Sequence, residues 1–346
     1  MDALPELAPR GCLAGVTLSS PMTLVLSDSD VSRIIEMPDV IAAIERAHAE
    51  DASGRAAQPQ RTNFGLPDRV SALIQMPAFI AKSNAIGIKI LSHFPGNKQF
   101  GFPAQSSTVL IFDSDTGQCK AILAGGHLTA YRTGAASAVA TKFLARPDSG
   151  VLGLVGAGRL ARTHLEAIRS VRPLEKVLVW SRTKETVGAF MRSAENVGFP
   201  IVPVASPEEV VRQCDILCTL TPAKQPIVRG TWFRKGLHIN AVGCPPMPDH
   251  REIDTEGFIR SRIVVDSREA VLETGDVLIP LQSGDISRER VADEIGEIIN
   301  GTKVGRTDND QVTLYKSVGV AIQDIATAML VVNRAKEAGV GLEVEL

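Results

Sequence analysis

The sequence VLGLVGAGRLA at residues 151–161 decides the fold. An apolar run leads directly into a G-x-G-x-x-A pattern, and residues that favour a helix follow it. This order of strand, turn and helix is the context that a dinucleotide-binding turn requires. The first glycine permits the tight turn, the second lets the backbone approach a pyrophosphate, and the small last residue lets helix and strand pack closely. The pattern predicts that a nicotinamide dinucleotide contacts five consecutive residues, Gly156, Ala157, Gly158, Arg159 and Leu160.

The residues that follow the turn alternate between apolar runs and helical segments as far as about residue 266. The apolar runs are KVLVW, IVPV, DILCTL, LHINAV and RIVV. Strands that alternate with helices are typical of a parallel, doubly wound sheet. The segment Ser206-Pro207-Glu208-Glu209 supports one of these helices, because it combines an N-cap serine, a proline at the first helical position and a capping-box glutamate. We therefore predict a Rossmann domain over residues 146–319.

The residues before this domain follow a different pattern. Helical spacing of apolar residues between positions 30 and 52 gives way, between positions 58 and 113, to short apolar runs separated by Pro, Gly and Asn. These runs predict the strands of a mainly antiparallel or mixed sheet. Residues 127–144 predict an alanine-rich helix, and a last long helix is expected from about residue 312 to 338. The chain is thus expected to be an α/β protein with a second, α+β domain.

Charge, hydropathy and cysteine usage exclude several classes of function. The 346 residues carry 37 basic and 39 acidic side chains, a net charge of −2, so no overall field attracts a nucleic acid. No apolar run approaches the roughly 18–20 residues that cross a bilayer, and the N-terminus lacks the layout of a secretory signal. We therefore expect a cytoplasmic protein that acts on a small molecule. No metal site is expected, because the cysteines lack the spacing of zinc ligands or of a disulfide framework. The five cysteines are Cys12, Cys119, Cys214, Cys218 and Cys244.

The second apolar run of the predicted Rossmann domain ends in a basic and polar segment. Sites that prefer NAD commonly place an acidic residue here, where it binds the ribose 2′-hydroxyl. This chain instead has an arginine, which can pair with a 2′-phosphate, and hydroxyl side chains, which can donate hydrogen bonds to it. The four residues are Ser181, Arg182, Thr183 and Lys184. The sequence therefore favours NADPH over NADH, with NADH left open as the alternative.

Three basic residues outside the predicted Rossmann domain stand out as candidates for a binding site. Lys89 interrupts the apolar run IGIKIL, and Arg132 lies among small residues of a helix that is expected to be packed. A buried cation needs a counter-charge to offset its desolvation, and a bound carboxylate would serve both residues. Arg61, in PQRTNF, is the third, and His93 is a further polar candidate. This surplus of cationic and polar groups leaves room for a second carboxylate.

These segments resemble the ornithine cyclodeaminase/mu-crystallin family. The resemblance extends over nearly the whole chain after about residue 22. Its most specific parts are LTAYRTGAASAVATKFLA at residues 128–145 and GRTDNDQVTLYKSVGVAIQD at residues 305–324. The resemblance implies a homodimer, with a substrate-binding and dimerisation domain formed by residues 1–145 and 320–346. The segment VWSRTKE is similar to the NADPH-binding, mu-crystallin side of the family.

The resemblance also implies roles for individual residues. Arg61, Lys89 and Arg132 would hold the substrate carboxylate or assist proton transfer beside the nicotinamide. The residues implied to bind the substrate are Arg61, Met76, Lys89, His93 and Arg132. The residues implied to line the cofactor, in addition to the two segments described above, are Thr133, Thr219, Leu220, Thr221, Val242 and Ser317.

The chain departs from the family pattern just after NAVG, at residues 240–243. The cyclodeaminases have an aspartate there that handles the substrate amine and the catalytic water. Pro245 occupies this position, and proline can neither ionise nor form a hydrogen bond through its side chain. Asp249 could replace the aspartate only if the proline-rich loop bends back. A second departure is Ala104, where the cyclodeaminases have a threonine near the cofactor.

The sequence therefore predicts an NAD(P)H-dependent reductase that converts a small α-imino acid into the L-amino acid, or an amino-acid dehydrogenase that runs the reverse reaction. Hydride would reach the imine carbon, Arg132 and Arg61 would fix the carboxylate, and Lys89 would supply or shuttle the proton. A cyclic ketimine, a dicarboxylic imine such as iminosuccinate, and an imine derived from pyruvate are the alternative substrates. Ornithine-type ammonia elimination and a non-catalytic, crystallin-like NADPH-binding role are the alternative functions.

Overall fold

Two β-sheets and the helices that cover them form the fold of the computed structural model, which describes residues 22–67 and 70–346. The strands in these residues are β1 (Met22–Leu26), β2 (Ala56–Ala57), β3 (Thr62–Gly65), β4 (Ala72–Ile80), β5 (Ala85–His93), β6 (Gln105–Asp113), β7 (Cys119–Ala124), β8 (Val151–Val155), β9 (Lys176–Trp180), β10 (Ile201–Pro203), β11 (Ile216–Thr219), β12 (His238–Ala241), β13 (Arg262–Val265), β14 (Thr313–Lys316) and β15 (Leu342–Glu345). The helices are α1 (Asp28–Ile34), α2 (Met37–Ala52), α3 (Gly125–Leu144), α4 (Arg159–Arg169), α5 (Lys184–Ser193), α6 (Pro207–Gln213), α7 (Thr255–Ile259), α8 (Gly275–Gln282), α9 (Ile295–Ile299) and α10 (Ala321–Ala338).

The first sheet brings together strands from both ends of the described chain. Its order is β15-β1-β7-β6-β5-β4-β2, and β3 pairs with β4. β1 and β7 run parallel, whereas the other described pairs of this sheet are antiparallel. Helix α10 packs against β4, β5 and β6, and against α2. The last helix therefore lies on the sheet formed by the first part of the chain.

The second sheet has seven strands in the described residues, and all of them run parallel in the order β10-β9-β8-β11-β12-β14-β13. Every residue of β11, β12 and β14 is buried, as expected for a parallel sheet with both faces covered. Ser206 caps α6 by accepting a hydrogen bond from Glu209 N at 3.2 Å, as predicted. The predicted class, a doubly wound Rossmann sheet with a second α+β unit, is confirmed.

The last helix begins later than the sequence predicted. Residues 313–316 form β14 in the parallel sheet, and α10 starts only at Ala321. The run TLYK contains β-branched and aromatic side chains, which fit a strand better than a helix. Gly319 then adopts a φ of 77°, in the left-handed region that breaks the strand. A strand, a tight turn and a helix therefore replace the single predicted helix.

Helix α3 connects the two sheets through close packing on α4. A Cβ at Gly134 would lie 2.7 Å from the backbone oxygen of Thr163, so the two helices can approach this closely only at a glycine. Arg172 donates to the carbonyl oxygens of Thr141 and Ala145 near the end of α3, at 3.0 and 3.2 Å. The alanine-rich helix predicted from the sequence also packs against α2 and α10, so it is held against both halves of the molecule.

The described residues were compared with the requirements of a membrane-spanning helix, a metal site and a disulfide. None of their helices combines the length and the apolar character that a bilayer span needs. No three His, Cys, Asp or Glu side chains among them lie together in a way that could hold a metal ion. The described cysteines are free thiols, and Cys12 lies outside the described residues.

Candidate active site

A cavity of about 740 Å³ opens between the first sheet and the carboxyl ends of the parallel strands. The segments that follow β8, β12 and β14 contribute one wall of the cavity, and the inner faces of β4, β5 and β6 contribute the other. Ligands of open parallel sheets bind outside the carboxyl ends of the strands. The five residues predicted to bind substrate all line this cavity: Arg61, Met76, Lys89, His93 and Arg132.

One carboxylate lies behind the two most buried cations of the cavity. Lys89 Nζ lies 2.6 Å from Asp324 Oδ2, and Arg132 Nε donates to Asp324 Oδ1 at 3.0 Å. Asp324 is fully buried in the first turn of α10, and Lys89 is 1% exposed. The protein therefore supplies a counter-charge that the sequence analysis had sought only in a bound ligand. Asp324 was not a predicted site residue, because its role depends on the return of α10 to the first sheet.

The surroundings of Lys89 make its proton easier to release. Burial lowers the pKa of Lys89 to about 8, and the positive charges of Arg132 and Arg61 also lower it, whereas Asp324 opposes the shift. Arg132 is fixed further by Gln323, whose Oε1 accepts from Arg132 Nη1 at 2.9 Å. A lysine of this kind can hold and release a proton near neutral pH, as a general acid must.

Arg61 reaches the same cavity from the loop before β3. Its Nη2 donates to the carbonyl oxygen of Gly319 at 2.9 Å, and its Nε lies 3.4 Å from Glu273 Oε2. A Cβ at Gly319 would overlap the guanidinium of Arg132, so a glycine lets both arginines approach the turn after β14. The structure therefore brings the three predicted basic residues, Arg61, Lys89 and Arg132, to one end of the cavity.

A second buried aspartate holds the turn after β14. Asp266 Oδ2 accepts hydrogen bonds from Ser317 Oγ at 2.9 Å, from Val318 N at 2.8 Å and from Gly319 N at 2.7 Å. The hydroxyl of Ser317, which was predicted to line the cofactor, is thus engaged by the protein. Val318 lines the cavity, and the bonds to Asp266 fix its position. No motif in the sequence marks Asp266.

The glycine-rich turn has the geometry and the free space that a pyrophosphate needs. Gly156 has a φ of 108°, and a Cβ there would lie 2.8 Å from the carbonyl oxygen of Leu220. Gly158 is the N-cap residue of α4 and offers no side-chain cap, and a Cβ on it would meet no atom within 4 Å. Open space at an uncapped helix N-terminus suits a bound phosphate. Ala157, Gly158 and Arg159 line a cleft of about 500 Å³ at this point, and Leu160 is half-buried in the first turn of α4.

The segment after β9 combines exposed cations with a helix cap. Arg182 and Lys184 are exposed, and Ser181 is half-buried. Thr183 Oγ1 caps α5 by accepting from Thr186 N at 3.4 Å, and it lies 2.7 Å from Thr186 Oγ1. The hydroxyl of Thr183 is therefore engaged in the helix cap. Within the part of the chain that the structure describes, Arg182 forms no ion pair, which leaves its guanidinium accessible.

A buried glutamate binds two of the threonines predicted to line the cofactor. Thr219 Oγ1 and Thr221 Oγ1 each donate to the carboxylate of Glu252 at 2.8 Å, and Cys244 N donates to it at 3.0 Å. These bonds join the segments that follow β11 and β12. The threonines therefore fix two loops beside the cavity, and their hydroxyls are engaged by Glu252. Glu252 lies in the mainly polar run DHREID at residues 249–254, which contains no recognisable motif.

The other predicted cofactor residues also have partners within the protein. Thr133 Oγ1 donates to Thr129 O of its own helix at 2.7 Å, and Val242 N donates to Thr219 O at 3.2 Å. Leu220 is half-buried, and its carbonyl oxygen packs over Gly156. These contacts place the three residues in the walls around the glycine-rich turn and α3.

The structure gives no carboxylate at the position where the cyclodeaminases have aspartate. Pro245 and Pro246 line the cavity, whereas the side chain of Asp249 is 61% exposed and lies outside the cavity lining. Asp249 Oδ2 lies 3.1 Å from Lys224 Nζ, and Oδ1 lies 2.8 Å from His250 Nδ1. The proline-rich loop therefore does not bend Asp249 back toward Lys89.

Comparison with known proteins agrees with this geometry. The chain matches the model of the ornithine cyclodeaminase/mu-crystallin family over residues 22–339. The chain belongs to this family. It is 36% identical over 325 residues to a Δ1-pyrroline-2-carboxylate reductase of Bacillus cereus, an alignment that covers 93% of this chain and 99% of that protein.

Two solved family structures differ in the substrate that their names give. The Δ1-pyrroline-2-carboxylate reductase of Thermococcus litoralis, in complex with NADH and L-proline, has a TM-score of 0.89 and 41% identity and covers 93% of this chain and 100% of that one. The iminosuccinate reductase of Paracoccus denitrificans, in complex with NAD⁺, has a TM-score of 0.88 and 29% identity and covers 94% and 100%. The chain therefore lies on the reductase and dehydrogenase branch of the family.

Proposed function

We propose that this protein is a nicotinamide-dinucleotide-dependent reductase of small α-imino acids that forms L-amino acids, and that it can run the reverse oxidation. The observation that carries the proposal is the buried Lys89, which is paired with Asp324 and faces a cavity shared with Arg61 and Arg132. The uncapped start of α4 lies at the same cavity, because Arg159 lines it. The reductases named among the family structures support the same chemistry.

Two of the basic residues bind the substrate carboxylate, and the third transfers the proton. Arg132 Nε donates to Asp324, and its Nη1 donates to Gln323. The Nη2 group of Arg132, together with free N–H groups of Arg61, can bind a substrate carboxylate. The bound dinucleotide supplies the hydride in the reductive direction. Lys89 Nζ donates the proton that completes the amine nitrogen, and its low pKa favours this transfer. Asp324 holds the lysine and the arginine in position for both tasks.

The proposed cofactor preference is NADPH over NADH. Arg182, Ser181 and Lys184 surround the end of β9, and no acidic residue occupies positions 181–184 to repel a 2′-phosphate. The test is the ratio of kcat/KM for NADPH to that for NADH, measured for the wild type and for Arg182→Ala. The ratio should fall on the order of tenfold in the variant, because a charge-assisted pair with the phosphate is lost. An unchanged ratio would contradict the proposed role of Arg182 in binding the 2′-phosphate.

The proposed assembly is a homodimer formed through the outer face of the first sheet, which is the face opposite the cavity and α10. This face carries apolar cross-strand neighbours on β4, β5 and β6, namely Pro77, Phe79, Ile86, Ile88, Leu110 and Phe112. Ile86 is 38% exposed, and exposed apolar patches of this kind mark interaction surfaces. Light scattering on the wild type should give the mass of two chains, and Ile86→Lys should give that of one.

The experiment that tests the proposed activity is oxidation of NADPH and NADH by the purified protein. The panel contains cyclic ketimines, keto acids with ammonia or methylamine, and oxaloacetate with ammonia. Turnover with any imine supports the reductase. Dinucleotide binding without turnover across the panel would favour a binding role, and ammonia release without net cofactor oxidation would favour cyclodeamination.

A further inference from the structure

We propose that the middle of the cavity selects a monocarboxylic imino acid with an apolar carbon skeleton, and that Leu91 determines this specificity. The inference rests on the proposed reductase function, because it concerns the substrate of that reaction. It excludes the dicarboxylic imine, which the surplus of basic residues in the sequence had left open.

Three rows of cross-strand neighbours in the first sheet, called rungs below, lie along the cavity. Side chains at alternate positions of a strand share a face, so Lys89, Leu91 and His93 of β5 all line it. Cross-strand neighbours on β4 and β6 complete an inner rung (Met76, Lys89, Val109), a middle rung (Ile74, Leu91, Ser107) and an outer rung (Ala72, His93, Gln105). Successive rungs lie about 7 Å apart, because a strand rises about 3.4 Å per residue.

The charge beside the inner rung is almost balanced by the protein itself. Lys89 and Arg132 share Asp324, and Arg61 lies 3.4 Å from Glu273. These three cations and their two paired carboxylates leave a single positive charge, and the buried Asp266 near Arg61 does not add to it. One substrate carboxylate neutralises it, and among the residues that the structure describes no further cation at this end remains for a second carboxylate.

The other charged residues of the described cavity lining are Arg159 and Asp28. Arg159 belongs to the dinucleotide-binding turn at the start of α4. Asp28 Oδ2 lies 2.6 Å from His127 Nδ1, and Oδ1 accepts from the backbone nitrogen of the same histidine at 2.8 Å. An acidic side chain in the lining also disfavours a second carboxylate of the substrate.

The middle rung offers no charge to a substrate. Ile74 and Leu91 are apolar, and the adjacent Ser107 and Asn63 are uncharged. The wall from the parallel-sheet domain is apolar as well, with Pro245, Pro246, Met247 and Val318. A carboxylate one carbon beyond the imine would lie against these groups, where an unpaired charge is strongly disfavoured. A ring or a short apolar chain buries well there.

The outer rung is polar but too distant to bind a second carboxylate of a small imine. His93 and Gln105 are cross-strand neighbours, and Gln105 Nε2 lies 3.2 Å from His93 Nδ1. This rung lies about 14 Å from the inner rung, whereas the two carboxylates of a small dicarboxylic imine are separated by only two carbon atoms. The middle rung therefore decides which substrates fit.

The test compares kcat/KM for a cyclic ketimine monocarboxylate with kcat/KM for the imine formed from oxaloacetate and ammonia. The wild type should prefer the ketimine by on the order of 100-fold, since a pocket that offers no cation disfavours an additional carboxylate. Leu91→Arg places a cation in the middle rung and should shift this preference at least about tenfold toward the dicarboxylic imine. Leu91→Met, which keeps an apolar side chain, should retain the wild-type preference.

His93→Arg is the matched control, because it adds the same charge to the same cavity one rung farther out. It should gain much less activity on the dicarboxylic imine than Leu91→Arg does. Binding of the product amino acids, measured by calorimetry in the presence of oxidised dinucleotide, provides a readout that does not depend on turnover. The wild type should bind L-proline more tightly than L-aspartate, and Leu91→Arg should narrow the difference.

The outcomes separate this inference from the proposed function. A wild type that prefers the dicarboxylic imine overturns the inference and leaves the reductase function standing. A Leu91→Arg variant that folds but keeps the wild-type preference overturns the role of Leu91. Absence of turnover with every imine, while the dinucleotide binds, overturns both the reductase function and the inference that depends on it.

Discussion

Two buried lysine–aspartate pairs in this protein have nearly the same geometry. Lys89 Nζ lies 2.6 Å from Asp324 in the active-site cavity, and Lys316 Nζ lies 2.9 Å from Asp276 beneath the carboxyl end of β14. Both aspartates are fully buried, and neither lysine is more than 1% exposed. The distance between the partners therefore does not distinguish the two pairs.

The neighbours of the two pairs have opposite charges. Burial, together with the cations Arg132 and Arg61, lowers the pKa of Lys89 to about 8. Burial also opposes the charge on Lys316, but its aspartate and Glu252 outweigh that effect and raise its pKa above the usual value. A buried ammonium among cations releases its proton readily, whereas one among carboxylates retains it. The first pair is thus suited to proton transfer, and the second to holding the fold together.

The largest expected effect is the loss of turnover in Lys89→Met. Methionine fills a similar volume but carries no proton to donate, so kcat should fall by about 10³-fold or more. Dinucleotide affinity, followed by nicotinamide fluorescence, should stay close to that of the wild type, because Lys89 lies outside the glycine-rich turn. Turnover near the wild-type level would rule out Lys89 as the proton donor.

Lys316→Met should instead reduce stability. The substitution leaves Asp276 and Glu252 buried without their cation, and breaking a buried pair in this way costs about 3–5 kcal/mol of unfolding free energy. Denaturant unfolding at neutral pH measures the loss, and kcat of the folded fraction should be retained far better than in Lys89→Met. If both variants lost activity and stability equally, the distinction between the two pairs would not hold.

Asp324→Asn should change the pH dependence of the reaction. Lys89 must be protonated for imine reduction, so kcat/KM of the wild type should fall as the pH rises through the pKa of about 8. Removing the negative charge of Asp324 lowers that pKa, so the fall should begin about one to three pH units lower. At neutral pH the loss in kcat/KM should be on the order of 10- to 100-fold.

Asp276→Asn serves as the control for this pH profile. It removes the same charge from the second pair, so it should weaken stability without moving the pH at which kcat/KM declines. An equal loss at every pH in Asp324→Asn, with no displacement of the profile, would mean that Asp324 acts only through folding.

The contrast between the two pairs also shows what could be predicted from sequence. The turn at residues 156–161 was recognisable because its glycines follow an apolar strand and precede a helix, a local arrangement. Lys89 and Arg132 were recognisable because a charge within an apolar or small-residue segment is unusual. The strand at residues 313–316 was missed, because its partners in the sheet are distant in sequence.

The acidic partners could not be predicted because each depends on tertiary contacts. Asp324 reaches Lys89 across more than two hundred residues of sequence, and Asp266 and Glu252 bind loops that are brought together only by the parallel sheet. The amino acids around them form no recognisable motif. The cations of the site were therefore predictable from the sequence, whereas the carboxylates that hold them in position were not.

The smallest expected effect tests whether the group formed by Lys316, Asp276 and Glu252 also supports the cofactor site. Thr219→Val removes one donor to Glu252, and leaving a buried acceptor short of a partner should cost about 1–2 kcal/mol of stability. Because Glu252 also binds the segments after β11 and β12, KM for the dinucleotide should rise several-fold with little change in kcat. Thr327→Val is the control, because it removes a buried hydroxyl that donates to Gln323 O of its own helix, α10, at 2.8 Å; its effect on stability should be smaller, and KM for the dinucleotide should not change. A rise in KM for Thr219→Val alone would show that the hydrogen bonds to Glu252 support cofactor binding, whereas equal effects of the two variants on KM would show that these bonds serve only folding.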